Sequence, residues 1–205
     1  MELRVTRVPF ELHPEVPPGG TDIASFGIPA AYLEKIWLTV AEFGLPVDRT
    51  RRRISNTHKA LLIHEWAVQN ASAQAPEVHR GFFQAYFAAG RDLAEKTIIL
   101  DVCAQAGLPG ESVLADVTAD QRYEERLGRY RKAAQAFGVR GVPAFVVDQR
   151  HLIAGTLSIQ GVPAFIVNKR YIYAPQPFDA LLALLREIAT KKREAPKHND
   201  QSGAP

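Results

Sequence analysis

The pattern of apolar and polar positions changes along the chain. Residues 3–8 alternate between apolar and polar, which is typical of a half-buried strand, and the strand-like stretch covers residues 2–10. From Pro29 to Phe137 the apolar residues recur at helical spacing. Two β-rich runs follow, and then a leucine-rich helix begins at Pro177. The order strand, helical block, strands, helix predicts a helical block inserted into a small α/β core.

Six helices are expected in the helical block. They begin near Pro29, near a cap at Ser55 or Asn56, near Pro76, near Leu93, near Pro109 and near Ala119. The third helix carries an aromatic stripe, which we expect to pack in the core because large aromatic side chains are usually buried. The stripe consists of Phe82, Phe83, Tyr86 and Phe87.

A seven-residue segment occurs twice near the end of the chain. Residues 141–147 read Gly-Val-Pro-Ala-Phe-Val-Val, and residues 161–167 read Gly-Val-Pro-Ala-Phe-Ile-Val. Each copy predicts a strand that begins at a proline and continues into a hairpin, since proline lacks an N–H and is tolerated at the start of a strand. The valine before each proline is expected to be extended.

Composition limits the class of protein. The 205 residues carry a formal charge of +3, and the excess is partly local, in residues 51–53 and 191–193. No nucleic-acid motif accompanies these basic runs, so nucleic-acid binding is not expected. No stretch has the length of a signal peptide's apolar region or of a transmembrane helix, so we expect a cytoplasmic protein without membrane contact.

Few residues suggest a chemical site. Cys103 is the single cysteine, which excludes an intramolecular disulfide and metal sites built on several cysteines. The six histidines form no HxH or HExxH arrangement, so no metal and no cofactor is expected. His13, in the loop after the first strand, is the best single candidate for a site, although a purely structural role in the turn is favoured.

Several motifs together resemble one family. Residues 9–14 read Pro-Phe-Glu-Leu-His-Pro, Asn56-Thr57 opens a helix, Gly90-Arg91-Asp92 follows the aromatic stripe, and Phe137-Gly138-Val139 leads into Gly141-Val142-Pro143. In this order and at this spacing, the motifs resemble the FrnE-like branch of the DsbA family of thiol–disulfide oxidoreductases, from Met1 to about Ala189.

The resemblance implies an α/β fold with a thioredoxin-like core and a large helical insertion. The core would comprise residues 1–18 and 138–192, the insertion residues 19–137, and a disordered tail residues 193–205. It also implies that Val-Pro is the family's cis-proline element, which faces the redox cysteines across a substrate groove. The groove residues expected here are Val142, Pro143, Val162, Pro163 and His13.

The sequence departs from this family in two ways. It contains no Cys-x-x-Cys, and it begins at what resembles the family's second strand, so we expect an N-terminally truncated fold that lacks the first strand and the redox pair. Cys103 lies in an apolar helix interior, where a small buried side chain is expected rather than a reactive thiol. The Val-Pro hairpin is duplicated, and one copy is expected to occupy the family position.

Three functions remain open from the sequence. The first is a protein of the thiol–disulfide oxidoreductase family that is inactive in dithiol exchange because this chain lacks Cys-x-x-Cys. If it were active, its substrates would be peptide or protein thiols. The second is a redox-dead module that binds peptides or partners along the Val-Pro groove. The third is a relative of glutathione-dependent isomerases. Exposed strand edges would allow a homodimer. No catalytic residue is assigned.

Overall fold

The computed structural model describes residues 6–142, 144–147, 151–157, 163–167, 171–173 and Arg186. The chain divides into two compact units, Met1–Val142 and Pro143–Pro205. In the described part of the first unit, the helices are α1 (Ala30–Glu42), α2 (His58–Asn70), α3 (Ala75–Phe83), α4 (Lys96–Gln105), α5 (Gly110–Ala119) and α6 (Gln121–Phe137). All six lie where the helical pattern of the sequence predicts them.

The ends of the helices follow the capping chemistry of the sequence. Thr57 is the N-cap residue of α2, one position after the predicted cap, and Asn56 Oδ1 accepts a hydrogen bond of 3.0 Å from His58 N. Asp120 caps α6 by accepting from Arg122 N at 3.0 Å. Gly138 ends α6 with a φ of +76°, a conformation that favours glycine.

The core of the first unit lies between α2, α3, α4 and α5, with α6 packed against one side. Its fully buried residues include Ile63, Val78, Ile99, Cys103 and Val113. In the described residues no single helix is long and apolar enough to cross a membrane, but α4 and α5 together pass that test as a pair bent by 119°. The buried side chains of both helices belong to this core.

The aromatic stripe does not pack into the core as a whole. Phe82 is 6% exposed, whereas Phe83 is 54% and Phe87 39% exposed. Residues that are adjacent in a helix face different directions, and α3 continues into a π-helical turn at Gln84–Ala88 that shifts the register further. The expectation of core packing is therefore right for Phe82 and wrong for Phe83 and Phe87.

A short ladder ties the loop before α1 to the loop before α2. Strand β1 (Thr21–Asp22) pairs antiparallel with β2 (Arg53–Ile54). Gly20 precedes the ladder with a φ of +76°, and a Cβ at this position would lie 2.7 Å from the Ile54 carbonyl oxygen, so only glycine fits. Arg53 Nη2 donates to the carbonyl oxygens of Gly20, at 3.0 Å, and of Gly19.

The first strand predicted from the sequence is not present over residues 6–10, which have no regular secondary structure, and residues 1–5 lie outside the described part. Pro9 lacks the N–H that a ladder needs. The segment 6–20 is instead anchored by side chains. Val16 is 2% exposed, and its carbonyl oxygen accepts a hydrogen bond of 2.6 Å from Asn56 Nδ2.

The second unit contains a four-stranded antiparallel sheet. Its strands are β3 (Ala144–Val147), β4 (His151–Leu157), β5 (Pro163–Val167) and β6 (Tyr171–Tyr173), in that order. The two copies of the repeat thus form two hairpins. Ile153 lies opposite Val167 and Leu157 opposite Pro163, so β4 of the first copy pairs with β5 of the second.

Beyond β6, the structure describes little of the C-terminal region. Of the leucine-rich helix predicted from Pro177, the structure describes Arg186, which is helical and exposed. The predicted tail, residues 193–205, is not among the described residues. The domain boundaries given above, with residues 1–18 and 138–192 as core, stay a prediction.

Candidate functional site

The Val-Pro elements are described only in part. Val142 lies four residues beyond Gly138, the residue that ends α6, and its side chain is 47% exposed. Pro163 is the first residue of β5, as predicted for a proline at the start of a strand. Pro143 and Val162 lie outside the described residues. The substrate groove therefore stays a prediction, and Val142 is its exposed apolar member in the described part.

His13 has local partners. Its Nδ1 lies 3.0 Å from Glu15 Oε1, and its ring contacts Phe26 edge-on with 4.7 Å between the ring centroids. These contacts are those of a turn residue. The neighbouring residues Glu11 and Pro14 line a cleft that does not include His13 among its lining residues.

A cluster of charged side chains connects three parts of the first unit. His58, the first residue of α2, lies between two carboxylates: its Nδ1 is 3.1 Å from Glu11 Oε1, and its Nε2 is 2.8 Å from Glu124 Oε1. Arg131 Nη2 donates to Glu11 Oε2 at 2.5 Å. Because Glu11 belongs to the N-terminal segment and both Glu124 and Arg131 to α6, the cluster joins these elements across the start of α2.

The pKa of His58 reflects this position. Burial disfavours the charged imidazole, but the hydrogen bond to Glu124 and the charges of Glu11 and Glu124 outweigh burial and raise the pKa above its ordinary value. Glu11 is the most buried member of the cluster, since its side chain is only 8% exposed. Both of its oxygens have a cationic partner, as a buried carboxylate requires.

A cleft of about 370 Å³ opens beside this cluster. Its polar lining comes from Glu11, Asn56, His58, Lys59 and Arg131, and its apolar lining from Pro14, Pro18 and Ala94. The same histidine and carboxylate that connect the elements therefore form part of a surface that solvent can reach. In the described part of the chain, no group of three His, Cys, Asp or Glu residues is arranged to hold a metal ion.

Cys103 is unsuited to thiol exchange in this conformation. It lies in α4, its exposed fraction is 0%, and burial raises the pKa of its thiol. Thiol–disulfide exchange requires an accessible thiolate, which a low pKa and an exposed position favour. Both properties of Cys103 oppose the reaction, as expected from its apolar sequence context.

The charged cluster was not found from the sequence. Glu11 and His58 are 47 positions apart, His58 and Glu124 are 66 apart, and Glu11 and Arg131 are 120 apart. No spacing rule connects such residues, because their meeting depends on how α2 and α6 pack. A weak signal existed, since Glu11 lies in the Pro-Phe-Glu-Leu motif and His58 follows Asn56-Thr57, two of the motifs that carried the family resemblance.

Comparison with known families decides the assignment. The family model of the DSBA-like thioredoxin domain matches residues 1–158 of this chain. The chain belongs to the DSBA-like thioredoxin domain family. The α/β thioredoxin-like fold with a helical insertion, expected from the sequence, is thereby confirmed. A search of curated proteins found no match to the chain.

The limits of the DSBA-like match are informative. The matched range contains the first Gly-Val-Pro segment, at residues 141–143, and ends at residue 158, before the second segment at residues 161–163. It also contains all four members of the charged cluster and Cys103. A DSBA-like thioredoxin domain makes this chain a member of a family of thiol–disulfide oxidoreductases.

Proposed function

We propose that this chain, residues 1–205, supplies a peptide-binding surface of a DSBA-like protein of the FrnE-like branch and does not by itself catalyse dithiol oxidation. One observation carries the proposal. The sequence has a single cysteine, Cys103, and that cysteine is buried with a raised pKa. Exchange between a disulfide and a dithiol requires an attacking and a resolving thiol, and these residues hold neither in reach of a substrate.

The binding part of the proposal rests on Val142. Its apolar side chain is 47% exposed directly before the first proline, within the part of the chain that matches the DSBA-like domain. An exposed sheet element can bind an extended peptide through main-chain hydrogen bonds, and neighbouring apolar side chains then provide the contacts that select the peptide. We assign Val142 and Pro143 to the family's cis-proline position and treat Val162 and Pro163 as the duplicate.

The inactive part is tested with the purified chain of residues 1–205 and a reduced peptide that contains two cysteines, in a glutathione redox buffer. We expect the rate of peptide oxidation to equal the rate in buffer alone. A rate that rises in proportion to the protein concentration would show that the chain is active and would refute this part.

The binding part is tested separately, with a fluorescent extended peptide whose cysteines are replaced by serine. Val142→Glu should weaken binding roughly tenfold, which corresponds to about 1.4 kcal/mol. Val68→Glu is the matched control, since Val68 is 37% exposed on α2. Equal losses in the two variants, or no binding by the unmodified chain, would contradict the assignment of Val142 to the groove while leaving the first test unaffected.

A further inference from the structure

His58 makes two contacts that a neutral imidazole cannot both satisfy. Its Nδ1 faces Glu11 Oε1 at 3.1 Å, and its Nε2 faces Glu124 Oε1 at 2.8 Å. An ionised carboxylate only accepts hydrogen bonds, and a neutral imidazole carries one N–H, whereas the imidazolium carries two. The observed arrangement is therefore that of a charged histidine that donates to both carboxylates.

We propose that His58 is a proton-operated bridge between Glu11 and Glu124, which holds both carboxylates when the imidazole is charged and releases Glu124 when it is neutral. The proposal is independent of peptide binding and of thiol chemistry. It assigns a pH-dependent role to a cluster for which the family resemblance implied no function.

The identity of the released partner follows from burial. The side chain of Glu11 is 8% exposed, and that of Glu124 is 50% exposed. Water replaces a lost donor more readily at the half-exposed carboxylate of Glu124 than at the nearly buried carboxylate of Glu11. Neutral His58 therefore keeps its proton on Nδ1, facing Glu11, and the contact between Nε2 and Glu124 is the one that breaks.

The other charges around His58 come from the same elements. Arg131 of α6 binds the second oxygen of Glu11 at 2.5 Å, so it holds Glu11 in place in both states of the histidine. Lys59, the next residue of α2, lines the cleft beside His58, and Ala94 contributes no ionisable group. The two cations oppose a charge on the imidazole and the two carboxylates favour it. Burial lowers the pKa of His58, and the hydrogen bonds and charges of Glu124 and Glu11 outweigh burial and raise that pKa.

The bridge has a consequence for the cleft. Glu11, His58 and Arg131 form part of its wall, so the proton on His58 sets the charge of that wall. Release of Glu124 removes one contact between the first turn of α6 and α2, while Tyr123 of the same turn keeps its hydrogen bond of 2.9 Å from Asn70 of α2. The cleft is therefore expected to be more positive below the pKa of His58 than above it.

The decisive experiment is ¹⁵N NMR of the imidazole of His58 in the unmodified protein across the neutral pH range. Above the pKa of His58 we expect the tautomer with the proton on Nδ1. The ¹³C signal of the Glu124 carboxylate should shift with the same midpoint. A neutral form with the proton on Nε2, or a Glu124 signal that does not follow His58, would overturn the proposal.

Two variants separate this bridge from general surface electrostatics. Glu124→Gln should lower the pKa of His58 while leaving the Nδ1 tautomer in place. Glu125→Gln removes the adjacent exposed carboxylate of α6 and should leave the titration of His58 unchanged. Equal shifts in the two variants would mean that the net charge of α6, and not the contact with Glu124, controls the histidine.

Discussion

Glu65 of α2 is 1% exposed, and its Oε1 accepts a hydrogen bond from Nε of Arg126 in α6. Gln69 Nε2 donates to the same oxygen at 3.2 Å, and the Tyr130 hydroxyl lies 3.4 Å from it. The Arg126 side chain is 31% exposed, so water reaches the cation but not the carboxylate. This pair therefore fixes the packing of α6 on α2. The bridge at His58 joins the same two helices about two turns earlier, at the start of α2.

Removing the cation should cost more than removing a neighbouring charge. Arg126→Met leaves the buried carboxylate of Glu65 with weaker neutral donors, and we expect a loss of about 2 kcal/mol in the free energy of unfolding. Arg129→Met, at an exposed position of the same helix, should change it by less than about 0.5 kcal/mol. Urea denaturation of both variants measures the difference, and equal midpoints would show that the Glu65 contact contributes nothing.

Two glycines in helices should respond oppositely to alanine. A Cβ at Gly81 of α3 would lie 2.9 Å from Val102 Cγ1 in α4, so Gly81→Ala should destabilise the protein by about 1–3 kcal/mol through overpacking. At Gly128 of α6 a Cβ meets nothing within 4 Å, and Gly128→Ala should stabilise it by about 0.5–1 kcal/mol. Thermal unfolding of both variants and the unmodified protein measures these changes. A Gly81→Ala variant that is more stable than the unmodified protein would contradict close packing of α3 on α4.

His64 and His79 should make the protein sensitive to acid. Their ring centroids are 5.4 Å apart. Burial lowers the pKa of both histidines, and the charge of Arg7 lowers both further. A charge on His79 also lowers the pKa of His64. The unfolded chain then binds protons more readily, so stability falls as pH drops below the ordinary value of about 6.5. His79→Gln should reduce the loss of stability between pH 7 and pH 5, which urea denaturation at the two pH values measures.

His58 should affect stability in the opposite direction. Because its pKa is raised in the folded protein, its contribution is fully present below the ordinary value of about 6.5 and is lost as pH rises through the raised folded value. The difference in unfolding midpoint between the unmodified protein and His58→Gln should therefore shrink as the pH increases from 6 to 9. A difference that is constant with pH would contradict a charged His58.

Cys103 should be protected from thiol reagents. Its exposed fraction is 0% and burial raises the pKa of its thiol, so labelling requires opening of α4. Labelling by a disulfide reagent should be slow in the native protein and should become fast in urea at the unfolding midpoint. Cys103→Ala should cost about 1 kcal/mol through the small cavity it leaves. Fast labelling of the folded protein would contradict the buried position.

The sequence alone determined the six helices of the first unit, the strands of the repeat and the family. Helical spacing located α1 to α6, proline at a strand entry located β5, and short motifs in a fixed order indicated a DsbA-like fold, which the family match confirmed. These features depend on local backbone preferences and on periodicity, which act over a few residues and can be read from a single chain. The apolar context of Cys103 likewise predicted its burial.

Only the tertiary structure decided which distant charges meet. Glu11, His58 and Glu124 come together because α2, α6 and the N-terminal segment pack at one point, and no local rule encodes that meeting. It also decided that Phe82 is buried while Phe83 is exposed, since adjacent residues of α3 point in different directions and only one of those directions faces the core. Local patterns specify elements, and packing alone brings residues from distant segments into contact.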